Sequence, residues 1–435
     1  MAELFYGREI KSISFPGEKN AIWVKPKEMT PSLTEPQKSV LEIVADAIDA
    51  PIGSPPLSEI IEKGDSVCIL VSDITRLWQK TNEYLPLLLN RLNSYGVQDK
   101  DILVLIAVGT HRKQTEEEHK KIVGEEVYRR VRIIDHDCDD DSNLIEVGIT
   151  SFGNCVRLNA HAMACKKLIL TGGVVPHFLA GYGGGGKSIL PGIAARSTTN
   201  TNHNLVLNPG LGAGINPHVY SGSLTENPMR KDIEEAVAMA NPCFMINVVA
   251  DADNQVVKAF AGHYLEAFHA AVHFTENLCA VPVEKKAPLV VVSAGGFPRD
   301  INLRQSTKSL HHAILVAKPN ATIILFAECN DGFGDEQSYN QIVNFTDMIS
   351  REEALRKNFT VGAFVGFYFA SSAEKYNIIL VSSLQKKLFE NTKMHVANSP
   401  EEALQIAKKL NPGILDTPTI FIANGGTTLP KLIAN

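Results

Sequence analysis

The chain has 435 residues, 44% of them hydrophobic and 21% charged, and a formal net charge of −6. That length exceeds one ordinary core and predicts two domains. An acidic balance with no dense Lys/Arg block argues against a nucleic-acid partner bound through its phosphates. The seven cysteines, Cys68, Cys138, Cys155, Cys165, Cys243, Cys279 and Cys329, are odd in number and form no CxxC pair. This argues against a disulfide framework or thiolate zinc site and fits a reducing, cytoplasmic setting. The opening MAELFYGREIKSISF is not patterned as a signal peptide, and no apolar run approaches the ~20 residues that span a bilayer.

In chain order, short apolar runs read as buried parallel strands: Ser66–Ser72, Asp101–Val108, Lys167–Thr171, Leu289–Ser293, Thr322–Phe326 and Ile378–Ser382. Thr81–Tyr95 and Pro228–Ala240 carry apolar residues at helical spacing. Strands alternating with helices predict an α/β architecture with mainly parallel sheets, whose sites form where loops leave the C-terminal strand ends. Those loops are rich in polar residues. The first strand runs into Asp73-Ile74-Thr75-Arg76 and the second into Gly109-Thr110-His111-Arg112. The third runs into Gly172-Gly173 and then Pro176-His177, and LVVVS runs into Ala294-Gly295-Gly296. A composition change at Val281–Pro288 reads as a linker. It separates an N-terminal domain, 1–280, from a C-terminal one, 288–407. The end of the chain, about 408–435, with its TIFIAN strand, is expected to return to the first domain.

Gly181-Tyr-Gly-Gly-Gly-Gly186-Lys187-Ser188 satisfies the phosphate-loop pattern G-x-x-x-x-G-K-[ST]. A working phosphate loop needs a strand directly before it and a helix directly after. Here the strand ends well upstream, and Pro191-Gly192 interrupts any following helix. Consecutive glycines beside one lysine still favour close approach by an anionic group. His269 and His273 lie four apart in a helical stretch without the glutamate of HExxH, so they read as surface or interdomain residues. His311 and His312 cannot share one helix face. His136 lies in the acidic run DHDCDDD, which reads as a solvated loop.

The segment PHFLAGYGGGGKSILPG, Pro176–Gly192, resembles the lactate racemase family. The resemblance extends through DITR, GTHR, the TNHN around His203, and GGFPRDINLRQSTK at Gly295–Lys308, in family order. It implies a 2-hydroxyacid racemase or epimerase. It also implies a nickel pincer nucleotide, a pyridinium mononucleotide with a thioamide and a thiocarboxylate, tethered at Lys187 and made by separate cofactor-biosynthesis proteins. His203 would bind the nickel, and His111 and His177 would be the acid/base pair. Asp73, Thr75, Gly184, Gly185, Gly186 and Ser188 would help hold the nucleotide. Arg76, Gln305 and Lys308 would hold the substrate, making 1–280 the cofactor-binding domain and 288–407 a substrate clamp across a cleft.

The chemistry agrees. The carboxylate beside the α-carbon makes loss of an α-proton hard, whereas loss of hydride gives a planar keto acid that can be reduced on either face. Side chains offer no hydride acceptor, so a cofactor must. Histidines suit the hydroxyl proton, and arginine suits a carboxylate. One departure concerns substrate. Lactate-racemising members are expected to carry tyrosine where this chain has Arg304. Either Arg304 meets a second anionic group of the substrate, or it faces solvent or pairs with Asp300. Two further readings remain at this point: a nucleotide hydrolase using Gly181–Ser188, and a catalytically silent binding homologue.

Overall fold

A computed structural model describes residues 2–25, 38–251 and 253–433. The chain forms two compact bodies. The first comprises Thr30–Val206 and His218–Leu278, and the second Met1–Met29, Leu207–Pro217 and Cys279–Asn435.

The first body is built on two aliphatic runs, Val67–Ser72 and Ile102–Ala107, which pair in parallel and are buried almost throughout. Strands covered on both faces need such uninterrupted apolar sequence. The sheet order is Val256–Gly262, Phe244–Ala250, Lys167–Gly173, Val67–Ser72, Ile102–Ala107, Arg132–Asp135. Only Val256–Gly262 runs antiparallel to its neighbour, at one edge. Helix Thr81–Ser94 turns Tyr84, Leu85, Leu88, Leu89 and Leu92 inward. They join Val67, Ile69, Val71, Val104 and Ile106 in one core. The parallel strand ends therefore deliver Asp73, Gly109 and Val174 to the same edge, where the following loops must turn.

The second body holds a wholly parallel sheet in the order His395–Ala397, Asn377–Val381, Ala317–Phe326, Ala287–Ser293, Thr419–Ile422, Ile22–Val24. This corrects the expected course of both chain ends. The C-terminal strand does not return to the first body. It is hydrogen-bonded between Ala287–Ser293 and the N-terminal strand Ile22–Val24. The reason is apolar stacking: Phe421 is fully buried, with ring centroids 5.8 Å from Phe15 and 4.8 Å from Trp23. The start of the segment read as a linker, Val281–Val283, belongs to strand Ala280–Val283, which pairs in parallel with Leu429–Leu432. Among the described residues no helix is long and apolar enough to cross a membrane.

Because Leu88 is wholly buried in the first core, Leu88→Ala should cost about 2–5 kcal/mol, read by denaturant unfolding. A loss below half a kilocalorie would mean the helix does not depend on this face.

Candidate active site

The first pair of loops fixes His111. Asp73 caps the turn Ile74–Gln79, accepting the Thr75 N–H at 3.1 Å and the Thr75 hydroxyl through Oδ1. Its other oxygen, Oδ2, lies 2.6 Å from His111 Nδ1. Burial opposes ionisation of Asp73, yet hydrogen bonds from His111 and Thr75 and the charge of Arg76 outweigh it and hold the carboxyl below its ordinary value. An ionised carboxylate only accepts, so His111 Nδ1 donates its N–H, and in the neutral ring the lone pair lies at Nε2. The His111 side chain is 53% exposed, which leaves that nitrogen accessible. Asp73 and Thr75, expected to hold a nucleotide, are thus engaged with each other and with the imidazole.

Two residues absent from the sequence reading stitch these loops together. Ile74 N–H donates to Gln114 Oε1 at 3.2 Å, and Gln114 N–H donates to Asp135 Oδ2 at 2.7 Å. Both lie within polar runs, HRKQTEEEHKK and DHDCDDD, and only the fold brings them beside Asp73.

The second set centres on Lys187. Pro176–His177 and Gly181–Tyr182 form a tight antiparallel hairpin. Gly181 has φ +72° and lies so close to Ser223 O that a side chain could not fit. In this turn the N–H groups of Leu179 and Ala180 both donate to His177 Nδ1 at 3.2 Å. His177 Nδ1 is therefore the lone-pair nitrogen, and its proton sits on Nε2. That Nε2 lies 3.2 Å from Lys187 Nζ.

Gly185, at φ +56°, packs on Phe268, which a Cβ would approach to 2.5 Å. Its N–H donates to Asn247 Oδ1 at 2.8 Å. The N–H groups of Gly183, Lys187 and Ile189 are taken by Val175, Gly184 and Gly186 carbonyls. Gly185–Ser188 is one 3-10 turn, and the next helix, Arg196–Asn204, starts beyond Pro191. A phosphate loop instead points successive N–H groups at its ligand from a helix N-terminus. The hydrolase reading loses its structural basis here, and Gly185 reads as a packing point.

Beneath the loop lies Arg230, buried, donating from Nε to Ala180 O at 3.0 Å and from Nη2 to Tyr182 O. Its guanidinium sits 4.9 Å from the Phe268 ring centroid. Burial first, then the charges of Arg230 and Arg76, push Lys187 down to about 7, so much of it is neutral amine at neutral pH. His203 lies on helix Arg196–Asn204, and its Nδ1 donates to Thr199 O at 2.7 Å. Its Nε2 therefore carries the lone pair. Burial and the nearby Lys187 lower its pKa to about 4, so it stays neutral. A neutral imidazole whose other nitrogen donates to a carbonyl is the usual arrangement of a metal-binding histidine. Among the described residues no cluster of three or more His, Cys, Asp or Glu could hold a metal ion. A metal carried within a cofactor would need only one such ligand.

Asp73, Thr75, Arg76, His111, His177, Gly184, Gly185, Gly186, Lys187, Ser188 and His203 all belong to the first body. Arg304, Gln305 and Lys308 lie on helix Leu303–Leu315 of the second. Arg304 pairs with Asp335 at 2.9 Å and not with Asp300, which is buried and accepts from the Gly7 and Glu328 N–H groups. His136, read as solvated, is fully buried, with Nε2 donating to Ala194 O at 3.0 Å. His311 and His312 are also buried, their Nδ1 atoms 2.9 Å from Tyr368 Oη and 2.7 Å from Gly425 O.

Residues 6–214 match the lactate racemase N-terminal domain and 283–428 the lactate racemase C-terminal domain. The chain belongs to the lactate racemase family. It is 33% identical over 373 residues to the lactate racemase of Lactiplantibacillus plantarum, covering 84% of this chain and 85% of that one. It is 34% identical over 298 residues to that of Thermoanaerobacterium thermosaccharolyticum, 68% of each chain. The lactate racemase apoprotein structure from the latter organism superposes with a TM-score of 0.85, at 29% identity and 99% coverage of both chains. A Thermotoga maritima protein shares the fold at 20% identity and a TM-score of 0.60, over 92% of this chain and 100% of that one. The relatives are isomerases by name.

Asp73→Ala should release the His111 ring. Nitrogen NMR should then report mixed His111 tautomers, and turnover should fall on the order of 10²-fold or more. A ring that stayed a single Nδ1–H tautomer would give its orientation to some other group.

Proposed function

We propose that this family member is a racemase or epimerase of 2-hydroxyacids whose Lys187 tethers a nickel pincer nucleotide, with His203 binding the nickel. The observation that carries this reading is a lysine lowered to about 7 by burial and near enough to His203 to interact with it, while the His203 ring stays neutral with its Nδ1 on Thr199 O. A desolvated lysine beside cations is the form that makes covalent bonds. When bound, the cofactor supplies the hydride acceptor that side chains lack.

The chain's own part is to hold the hydroxyacid and move its hydroxyl proton. Arg76 offers a fork for the carboxylate. Gln305 and Lys308 are proposed as further substrate contacts. The two imidazoles are set oppositely at rest: His111 presents a bare Nε2, and His177 an Nε2–H. One would therefore take the hydroxyl proton from one enantiomer while the other returns a proton to the keto oxygen as the mirror image forms, and the reverse reaction exchanges the roles. Arg304 has one nitrogen on Asp335, so the case for a doubly anionic substrate rests on its remaining donors. The protein partners are the enzymes that make the cofactor.

His111→Gln and His177→Gln should each lower racemisation by on the order of 10²–10⁴-fold. In single turnovers with separate enantiomers of lactate, a dicarboxylic and a sugar hydroxyacid, the two variants should fail on opposite hands. Equal, near-wild-type half-reactions in either variant would refute the pairing. His203→Ala should lose nickel while remaining folded, and unchanged nickel content would remove His203 from the reading.

A further inference from the structure

The sheet of the second body has a switch point of its own. The chain winds outward from Ala287–Ser293 through Ala317–Phe326, Asn377–Val381 and His395–Ala397. It then returns to lay Thr419–Ile422 on the other side of Ala287–Ser293. In open parallel sheets, ligands bind beyond the C-terminal ends of the two strands where the order reverses. Each of those strands is followed here by a Gly-Gly loop, Ala294-Gly295-Gly296 and Asn424-Gly425-Gly426. The glycines make room for one side chain. A Cβ on Gly295 would lie 3.3 Å from Arg299 Cδ, and one on Gly426 would lie 3.1 Å from the same atom. The stem of Arg299 is thereby seated across both loops.

The groups around that seat lack acceptors. Among the described residues the Arg299 guanidinium makes no hydrogen bond and no ion pair. Asp300, next in the chain, is turned instead to the Gly7 and Glu328 N–H groups. Thr427 Oγ1 and Thr428 Oγ1 are buried with no partner, which is uncommon for buried hydroxyls. The turn itself is firmly made: the Thr427 and Thr428 N–H groups donate to Asn424 O, and the Gly425 N–H donates to Ser293 O. Among the described residues the Gly426 N–H donates to nothing. Helix Leu303–Leu315 adds no open donors at its start, because the Leu303, Arg304 and Gln305 N–H groups are taken by Gly332 O, Phe333 O and Asn302 Oδ1. A second positive charge, Lys308, is near enough to His312 to oppose its protonation. His312 Nδ1 in turn lies 2.7 Å from Gly425 O in this loop.

We propose that Arg299, the Gly426 N–H and the Thr427 hydroxyl form an anion-binding site of the second body, for a carboxylate or a phosphate monoester. Each of the three can offer a hydrogen, and the one full charge among them is positive. The guanidinium fork matches the paired oxygens of either anion. A glycine N–H lets the backbone approach an anion closely, and a hydroxyl turns its proton toward whichever acceptor arrives. All three residues are part-buried, so a small anion can reach them while much of its surface is screened from water. None of them has a part in the proposed racemisation, and the site stands or falls separately from it.

The test uses the full-length unloaded protein, isotope-labelled at glycine and threonine. It is titrated with inorganic phosphate, glycerol phosphate and acetate in separate arms at constant ionic strength. The Gly426 and Thr427 amide resonances should shift and saturate. Tighter binding of the phosphates assigns the phosphate monoester, and tighter binding of acetate assigns the carboxylate. Arg299→Gln should weaken the binding on the order of tenfold or more. Arg299→Lys, which keeps the charge and loses the fork, should recover part of it. Gly426→Ala crowds the Arg299 stem without removing a charge, and should weaken binding as read at Thr427. Resonances that stay still in every arm, or that move equally in Arg299→Gln, would overturn the site. Racemisation measured on the same chain bears on the proposed function alone.

Discussion

Everything in the candidate site depends on a loop lowered onto the strand ends of a parallel sheet until its backbone touches the core. Gly185 sits against Phe268, Gly186 against Val237, and the Gly185 N–H reaches Asn247 in the strand behind. No side chain fits in that space, and a left-handed φ at Gly185 would strain any other residue. The consequence for chemistry is placement: Lys187 is carried inward, away from most water and above Arg230. Ordering so many glycines is entropically costly. Packing against the sheet and helix Pro228–Ala240 offsets that cost, and the site gains a lysine whose protonation is set by its surroundings.

The same economy of parts governs the histidines. Each has its Nδ1 fixed by hydrogen bonding, and the partner's chemistry selects the tautomer. A carboxylate beside Nδ1 leaves His111 with a bare Nε2, and a helix carbonyl does the same for His203. Two backbone N–H groups do the opposite to His177. One residue type thereby takes two tautomers, and the roles proposed for the three rings as base, metal ligand and acid follow from those surrounding hydrogen bonds.

Much of this was legible in the sequence because parallel strands announce themselves. Val67–Ser72 and Ile102–Ala107 are unbroken aliphatic runs, and the polar loops that follow them carry Asp73 and His111, which meet in the structure. The phosphate-loop pattern is weakened in the sequence by a strand that ends well upstream and by Pro191-Gly192, and the structure shows the helix it needs to be missing there. What stayed hidden depends on contacts between distant segments. Asn247 interrupts the apolar run of Phe244–Ala250, so that strand was passed over, and the interruption is the residue that anchors Gly185. Arg230 and Asp135 sit among other charges, in PMRKDIEE and DHDCDDD, and nothing local singles them out. His136 was misjudged because its acidic neighbours suggested solvent, whereas its ring turns inward under Ala194. The course of the chain ends was misread because Ile22–Val24 is three residues long and gives little periodicity to detect.

The most direct test of the whole account is the mass of Lys187. The chain is produced together with pincer-nucleotide biosynthesis enzymes and nickel, and both intact protein and its Gly181–Arg196 peptide are weighed. The account requires an added mass that maps to Lys187, is accompanied by nickel, and is absent from Lys187→Ala. An unmodified Lys187 in protein that racemises a 2-hydroxyacid, or a nickel-loaded and active Lys187→Ala chain, would contradict it.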